Sequence, residues 1–325
     1  MLPRTLLLVI ALAGAGLAVP TAAPRSATRG DDPPAAALWE PPTGLERRDL
    51  FNGPWGADLA PDPQATYAFV RRKQNGVNPG LVVRDPLGRT WHVKQARKRE
   101  GDEGPVEVVV SRVLSAVGYH QPPVYYLPSF RLATGSHTKV ERGGRFRLDV
   151  PSLHVRGTWS WRQNPFVGTR PHQGLLAILL LFNSWDLKTR NNKVYEVQRR
   201  DRVDTWYVVR DLGGAFGESG RYFVSRNDID KFERSRYITG VSEGFVEFAY
   251  HGKNPGLVDE RITLEDLRWA SGLLAGLDSR QWQDAFRAGG YTGAVGDRFI
   301  RTIRARIREG LQLTNPPWRA AAEGR

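Results

Sequence analysis

The chain has 325 residues, with 47 Lys and Arg against 34 Asp and Glu, a formal charge of +13, and 40% hydrophobic residues that include 13 Phe, 10 Tyr and 10 Trp. That apolar content excludes disorder over most of the length and suffices to bury a core in one large domain or two modest ones. The absence of cysteine excludes disulfides, thiolate zinc sites, iron–sulfur clusters and cysteine nucleophiles, while the excess of positive charge points to acidic partners.

At the N-terminus, Arg4 precedes an apolar run from Leu6 to Val19 and the small residues Thr21-Ala22-Ala23, the pattern of a cleaved secretory signal over residues 1 to 23. The run is short for a membrane span. The expected location is therefore extracytoplasmic, periplasmic or secreted, with no transmembrane span in the mature chain and a charge still about +12 once Arg4 is removed. Residues 24 to 63 are rich in Pro and Ala, as in Asp32-Pro33-Pro34 and Ala60-Pro61-Asp62-Pro63, which predicts an extended tail with Trp39, Phe51 and Trp55 as anchors.

A small α+β lobe is expected over residues 64 to 133. Tyr67 to Arg72, Gly80 to Asp85 and Thr90 to Lys94 are short β-branched and aromatic runs separated by turn-forming residues, which reads as an antiparallel meander. Gly104-Pro105-Val106 opens a helix with Val106, Val109, Val110, Val113, Leu114 and Val117 at three- and four-residue spacing. Pro122 to Pro128 is a strand bounded by prolines.

A larger, mainly helical lobe is expected from 134 to 318, followed by a disordered tail from 319 to 325. It should open with a hairpin turn at Arg142-Gly143-Gly144-Arg145. The uninterrupted apolar run Leu175 to Phe182 predicts a helix buried on every side. Three helices should close the chain, two of them capped at Thr263 and Asp278, and the Arg-rich last one reads as a solvated face with nucleic acid an unfavoured partner.

The chemistry-bearing stretch follows the buried helix. Asp186-Leu187-Lys188-Thr189-Arg190-Asn191 is answered, after a polar hairpin, by the apolar strand Val208-Val209 ending at Arg210-Asp211-Leu212-Gly213. Two carboxylates and a carboxamide form a hard-oxygen set suited to magnesium or manganese. Two carboxylates about 4 Å apart repel by about 4 kcal/mol at an effective dielectric near 20, so such a set requires a cation or a proton. With Lys94 on the third strand and Glu107 in the first turn of the next helix, the set would hold a metal-chelated polyphosphate. No pair of histidines has i,i+4 spacing, so zinc is not expected.

These residues resemble the protein-kinase-like superfamily, in particular its atypical exported bacterial members akin to the spore-coat and secretory-pathway kinases. Asp186 to Asn191 matches the catalytic-loop pattern Asp-Leu-x-x-x-Asn, and Asp211-Leu212-Gly213 is similar to the Asp-Phe-Gly motif. Lys94 stands where the strand lysine belongs, Glu107 where its helix partner belongs, and Asn75-Gly76-Val77-Asn78-Pro79-Gly80 where the Gly-rich loop lies.

The resemblance implies a two-lobed kinase-like fold with a nucleotide, ATP, in the cleft. By it, Lys94, Glu107, Gly76 and Gly80 would serve the nucleotide, and Asn191 and Asp211 would hold Mg2+ or Mn2+. Asp186, with Lys188 beside it, would act on an unknown hydroxyl acceptor. Three departures stand out: Ser184-Trp185 replaces His-Arg before Asp186, the Gly-rich loop has an unusual composition, and no Ala-Pro-Glu follows Asp211. The other class left open is an inactive exported binding protein whose basic surface meets an acidic glycan, lipid headgroup or protein.

Overall fold

The computed structural model describes residues 34–73, 80–95, 101–220, 224–259 and 261–315. The expected signal sequence, Gly76 and the 319–325 tail lie outside these residues. Strands β1 (Thr66–Arg72), β2 (Gly80–Arg84) and β3 (Thr90–Lys94) form the expected meander. Helix α1 (Glu103–Ala116) follows, then β4 (Val124–Thr134) and β5 (His137–Leu148). The five strands close in the order β1-β2-β3-β5-β4, with β1 and β4 parallel.

Alternation along each strand sorts the side chains. Tyr67, Leu81, Val83, Trp91, Val93, Tyr125, Phe130, Phe146 and Leu148 fill the barrel interior, which leaves His92, Lys94, Arg145 and Arg147 on the opposite face. The first lobe therefore runs to about residue 148, beyond the expected boundary at 133, because the hairpin turn lies at Gly135-Ser136 between paired Thr134 and His137. Gly135 takes the left-handed φ of 59° that such a turn requires. Gly143 and Gly144 are instead interior to β5, where a Cβ would run into the Leu127–Pro128 and Lys94 backbone; they permit close strand approach and not a turn.

Strand β6 (Leu153–Gly157) opens the second lobe, and α2 (Arg170–Leu181) is buried from His172 onward. A three-stranded sheet joins β6 to β7 (Asn192–Gln198) and β8 (Val203–Val209). Helix α3 (Ile229–Arg234) and the hairpin β9 (Ile238–Ser242) and β10 (Phe245–Phe248) precede the closing helices α4 (Leu264–Ala275), α5 (Ser279–Ala288) and α6 (Gly293–Gln312). Thr263 and Asp278 form reciprocal capping boxes with Asp266 and Gln281. Among the described residues, no helix is long and apolar enough to cross a membrane.

Two parts differ from the sequence expectation. Residues 34–63 are a packed strap and not an extended tail, because Leu38 and Leu50 are each 1% exposed within the larger core. Trp39 Nε1 donates to Val117 O at 2.7 Å, Trp55 Nε1 to Gln121 O at 2.9 Å, and Gln281 Nε2 to Leu45 O at 2.7 Å, so the strap binds α1, the connection after it and α5. Phe51 stays exposed. In α6, Arg306 is buried and not part of a solvated face: its guanidinium donates to Leu181 O, Phe232 O and Ser235 O at 2.7–3.0 Å, three carbonyls that make a buried cation tolerable.

Phe216 sits at φ 57°, unusual for a bulky residue, yet is wholly buried with ring centroids of Phe182, Phe232, Phe286 and Phe299 at 5.1–5.6 Å. Those contacts hold the strained backbone in place. Phe216→Ala is expected to lower unfolding stability by about 3–5 kcal/mol in urea denaturation.

Candidate active site

Helix α1 begins at Glu103 because the Asp102 side chain accepts from Gly104 N at 2.9 Å, an N-cap that satisfies one free amide. Glu107 is thereby in the second turn, not the first. It is buried, with Oε1 3.0 Å from Arg145 Nε and Oε2 3.6 Å from Lys94 Nζ. Burial works to raise its carboxyl, but Arg145 and Lys94 outweigh that and hold it below the ordinary glutamate value. Lys94 has a nearer partner that the sequence reading missed: Glu103 Oε2 lies 2.6 Å away, and Glu103 also pairs with Arg226. Lys94 Nζ reaches Asp211 Oδ1 at 3.5 Å, so one ammonium spans sheet, helix and the second lobe.

On the other wall, the turn after α2 aims residues 185–191 into the cleft. Asn183 takes φ 53° and is clamped by bonds to Gly217 O, Ser235 Oγ and Arg306. Trp185 N donates to Gly214 O at 3.0 Å, and Arg210 N to Asn191 O at 3.0 Å; these two bonds lace the segment 185–191 to the segment 210–214. Asn191 Nδ2 donates to Asp186 O at 2.8 Å and Oδ2 at 3.3 Å. Lys188 Nζ lies 2.5 Å from Asp186 Oδ1. Trp185, in place of the arginine of the family pattern, fixes itself through Nε1 to Ser225 O at 3.0 Å.

Asp211 adopts φ 55°, a left-handed conformation that aspartate tolerates better than most residues, and its side chain is 42% exposed toward the cleft. Burial of its inner part would raise its carboxyl, yet the charges of Lys94, Arg145, Arg147 and Arg210 hold it far below the usual carboxylate range. No group of three His, Asp or Glu among the described residues forms a metal cage by itself. Asp211 and Asn191 nevertheless suit a hard cation that takes its other oxygens from phosphate and water, since Asn191 turns its amide nitrogen to Asp186 and keeps its carbonyl oxygen for a ligand.

Gly80 opens β2 opposite Lys94 in register, and its carbonyl accepts from Lys73 N at 2.9 Å. A Cβ there would lie 3.0–3.1 Å from the Lys73 side chain and Val93 O, so the glycine keeps the strand edge close to the lysine.

The strand order, the helix that enters after β3 and its carboxylate on the β3 lysine decide the architecture. The fold is protein-kinase-like. No family model matches the chain, and no curated protein matches it in sequence. Among solved structures, a proinflammatory kinase of Helicobacter pylori, CtkA, is similar over 77% of this chain and 95% of its own, at 9% identity and a TM-score of 0.42. The Rio2 kinase of Chaetomium thermophilum, in a complex with ADP, Mg2+ and phosphoaspartate, is similar over 74% and 71%, at 15% identity and a TM-score of 0.29.

Removing Glu107 leaves Arg145 buried without its carboxylate. Glu107→Gln is expected to cost about 3–5 kcal/mol in stability at pH 7. Because the folded-state pKa of Glu107 is depressed from 4.5, its contribution is present above that value and disappears as pH falls through the folded pKa. The wild type should therefore lose more stability on acidification than Glu107→Gln does, a difference readable from urea midpoints at pH 7 and pH 3.5.

Proposed function

We propose that the protein is an exported, metal-dependent phosphotransferase that holds the polyphosphate of its donor, ATP in the first instance, between the lobes and passes a phosphoryl group to a hydroxyl acceptor. The observation that carries this reading is the meeting of Lys94 with Glu107 on one side and Asp211 on the other, at 3.6 and 3.5 Å. A purely structural lysine would be satisfied by one carboxylate; one placed among Glu103, Glu107 and Asp211 is positioned to hold an anion that arrives already carrying a cation.

In this reading Lys94 binds the donor's inner phosphates, and Glu107 orients it. Asp211 and Asn191 would hold Mg2+ or Mn2+, which would supply positive charge to the phosphates. Asp186 accepts the acceptor's hydroxyl proton or orients that hydroxyl. Lys188, 2.5 Å from Asp186 Oδ1, pairs with this carboxylate and lies ready for the transferred group. Export rests on the signal pattern at residues 1 to 23.

Thermal shift with ATP and Mg2+ or Mn2+ tests the proposal. Wild type should be stabilised only when metal and nucleotide are both present, and Asp211→Ala should abolish that shift. Asp186→Asn should retain the shift while phosphoryl transfer falls by about 10²-fold or more, the size of a lost general base. Lys94→Ala should weaken ATP without removing the metal's effect. Absence of any metal-dependent shift, with the three variants indistinguishable from wild type, would leave the basic binding protein as the better reading.

A further inference from the structure

The outer face of the barrel carries more positive charge than an ATP site requires. A cavity of about 190 Å³ starts at Lys94 and continues along the strands past Lys73, Val82, His92, Arg145 and Arg147. Lys94 pairs with Arg145 directly across β3 and β5, so two cations face one another there, while Arg147 faces His92, whose imidazole is held below its ordinary value by burial and the neighbouring arginines. A facing pair of cations is unfavourable. Lys94 and Arg145 are compensated by Glu103, Glu107 and Asp211.

Arg147 has no such partner in contact. It makes no ion pair with a described residue, and its Nη1 is shielded from solvent without a hydrogen-bond partner. Arg210, at the end of β8, gives Nη1 to Tyr195 Oη at 2.9 Å, but its Nε is likewise buried and unpartnered. Burial and the neighbouring Arg145 and Arg210 charges disfavour the charged form of Arg147, against the smaller opposing effects of Tyr195 and Glu107. A guanidinium stays protonated in proteins, so an anion entering the cavity would relieve this charge directly. A purine ring would supply acceptors and a stacking face but no charge, whereas five of the nine residues lining the cavity are arginine or lysine.

We propose that the part of the cleft beyond Lys94, walled by Arg147, binds a second anionic group of the donor, and that the preferred donor is a linear polyphosphate and not a nucleoside triphosphate. The proposal rests on the phosphotransferase reading of the Lys94–Asp211 end and extends it to the other end of the same ligand. Guanidinium groups offer the forked, charge-assisted donors that phosphoryl oxygens accept. Continuity of the cavity with Lys94 lets one unbranched chain of phosphates reach both ends.

The probes are sodium tripolyphosphate and ATP, each titrated calorimetrically into the full chain with Mg2+ in excess at 0.15 M salt. Tripolyphosphate is expected to bind at least about tenfold more tightly, a difference of about 1.4 kcal/mol. Arg147→Gln should weaken tripolyphosphate about tenfold and ATP little, with Arg147→Lys recovering most of the loss. Exposed Arg301 on α6 serves as the control for general charge, and Arg301→Gln should change neither. Tripolyphosphate affinity should also depend on Asp211, as a ligand spanning to the metal end must.

Four results would overturn the proposal: ATP equal to or tighter than tripolyphosphate, Arg147→Gln affecting both ligands alike or neither, tripolyphosphate indifferent to Asp211→Ala, or Arg301→Gln weakening it as much as Arg147→Gln. If Arg147→Gln does not fold, the wild-type affinity ratio and its Asp211 dependence decide. Metal- and Asp211-dependent ATP binding without a tripolyphosphate preference would sink this inference and leave the phosphotransferase reading intact; no Asp211-dependent binding of either probe would end both.

Discussion

Glu107 lies almost entirely out of water between cations from two adjacent strands, and a lone carboxylate in that place would be expelled or protonated. Its burial is possible only while β3 and β5 stay in register, because Lys94 and Arg145 face each other across that pair. The same carboxylate stands on α1, whose valines belong to the core of the second lobe and the strap, not to the barrel interior. One ion cluster thus joins two separately packed cores. Any motion that slides the barrel over α1 must break it, so the spacing between the cleft's walls is set by charge as much as by apolar packing.

The floor of the cleft is rigid for a different reason. Asn183, Asp211 and Phe216 all take left-handed backbone angles within one short stretch of space, and each is held by what surrounds it: Arg306 and Ser235 for Asn183, cleft cations for Asp211, four phenyl rings for Phe216. Strain of this kind persists where packing over-determines it. Arg306, which reads in sequence as one more surface arginine of α6, is what ties this floor to the last helix through Leu181 O and Asn183 Oδ1.

Much of the first lobe was legible because strand alternation and helix periodicity are local. The three-strand meander, the valine-rich α1, the buried α2 and the caps at Thr263 and Asp278 all follow from patterns within a dozen residues. Placement of Lys94, Asp186, Asn191 and Asp211 in one cleft followed from motif order, although composition alone could not have brought them together. Glu103 escaped notice because its meaning depends on where the helix starts, which the Asp102 cap decides. Arg145 and Arg147 escaped because Arg-Phe-Arg-Leu looks like any half-exposed strand, and the adjacent glycines imitate a turn. Nothing in the sequence says that the outer face of that strand is covered by another lobe. The strap was hidden for the converse reason: Pro and Ala forbid regular structure without forbidding burial, and Leu38 and Leu50 carry no periodicity.

The strap also sets an order of events during folding. Gln281 binds Leu45 O and Arg48 O across 236 and 233 positions of sequence, and Trp39 meets Trp269 edge to face at 5.0 Å. The segment made among the first can therefore dock only after helices α4 and α5 have been synthesised. Closing so long a loop adds little to the equilibrium cost, since each doubling of length adds about 0.6 kcal/mol, but it burdens the rate, because distant contacts form late. Until then Leu38, Leu50 and the valines of α1 that they cover stay open to water, the sort of surface on which a nascent chain aggregates. The strap thus completes the main core only once α4 and α5 have formed.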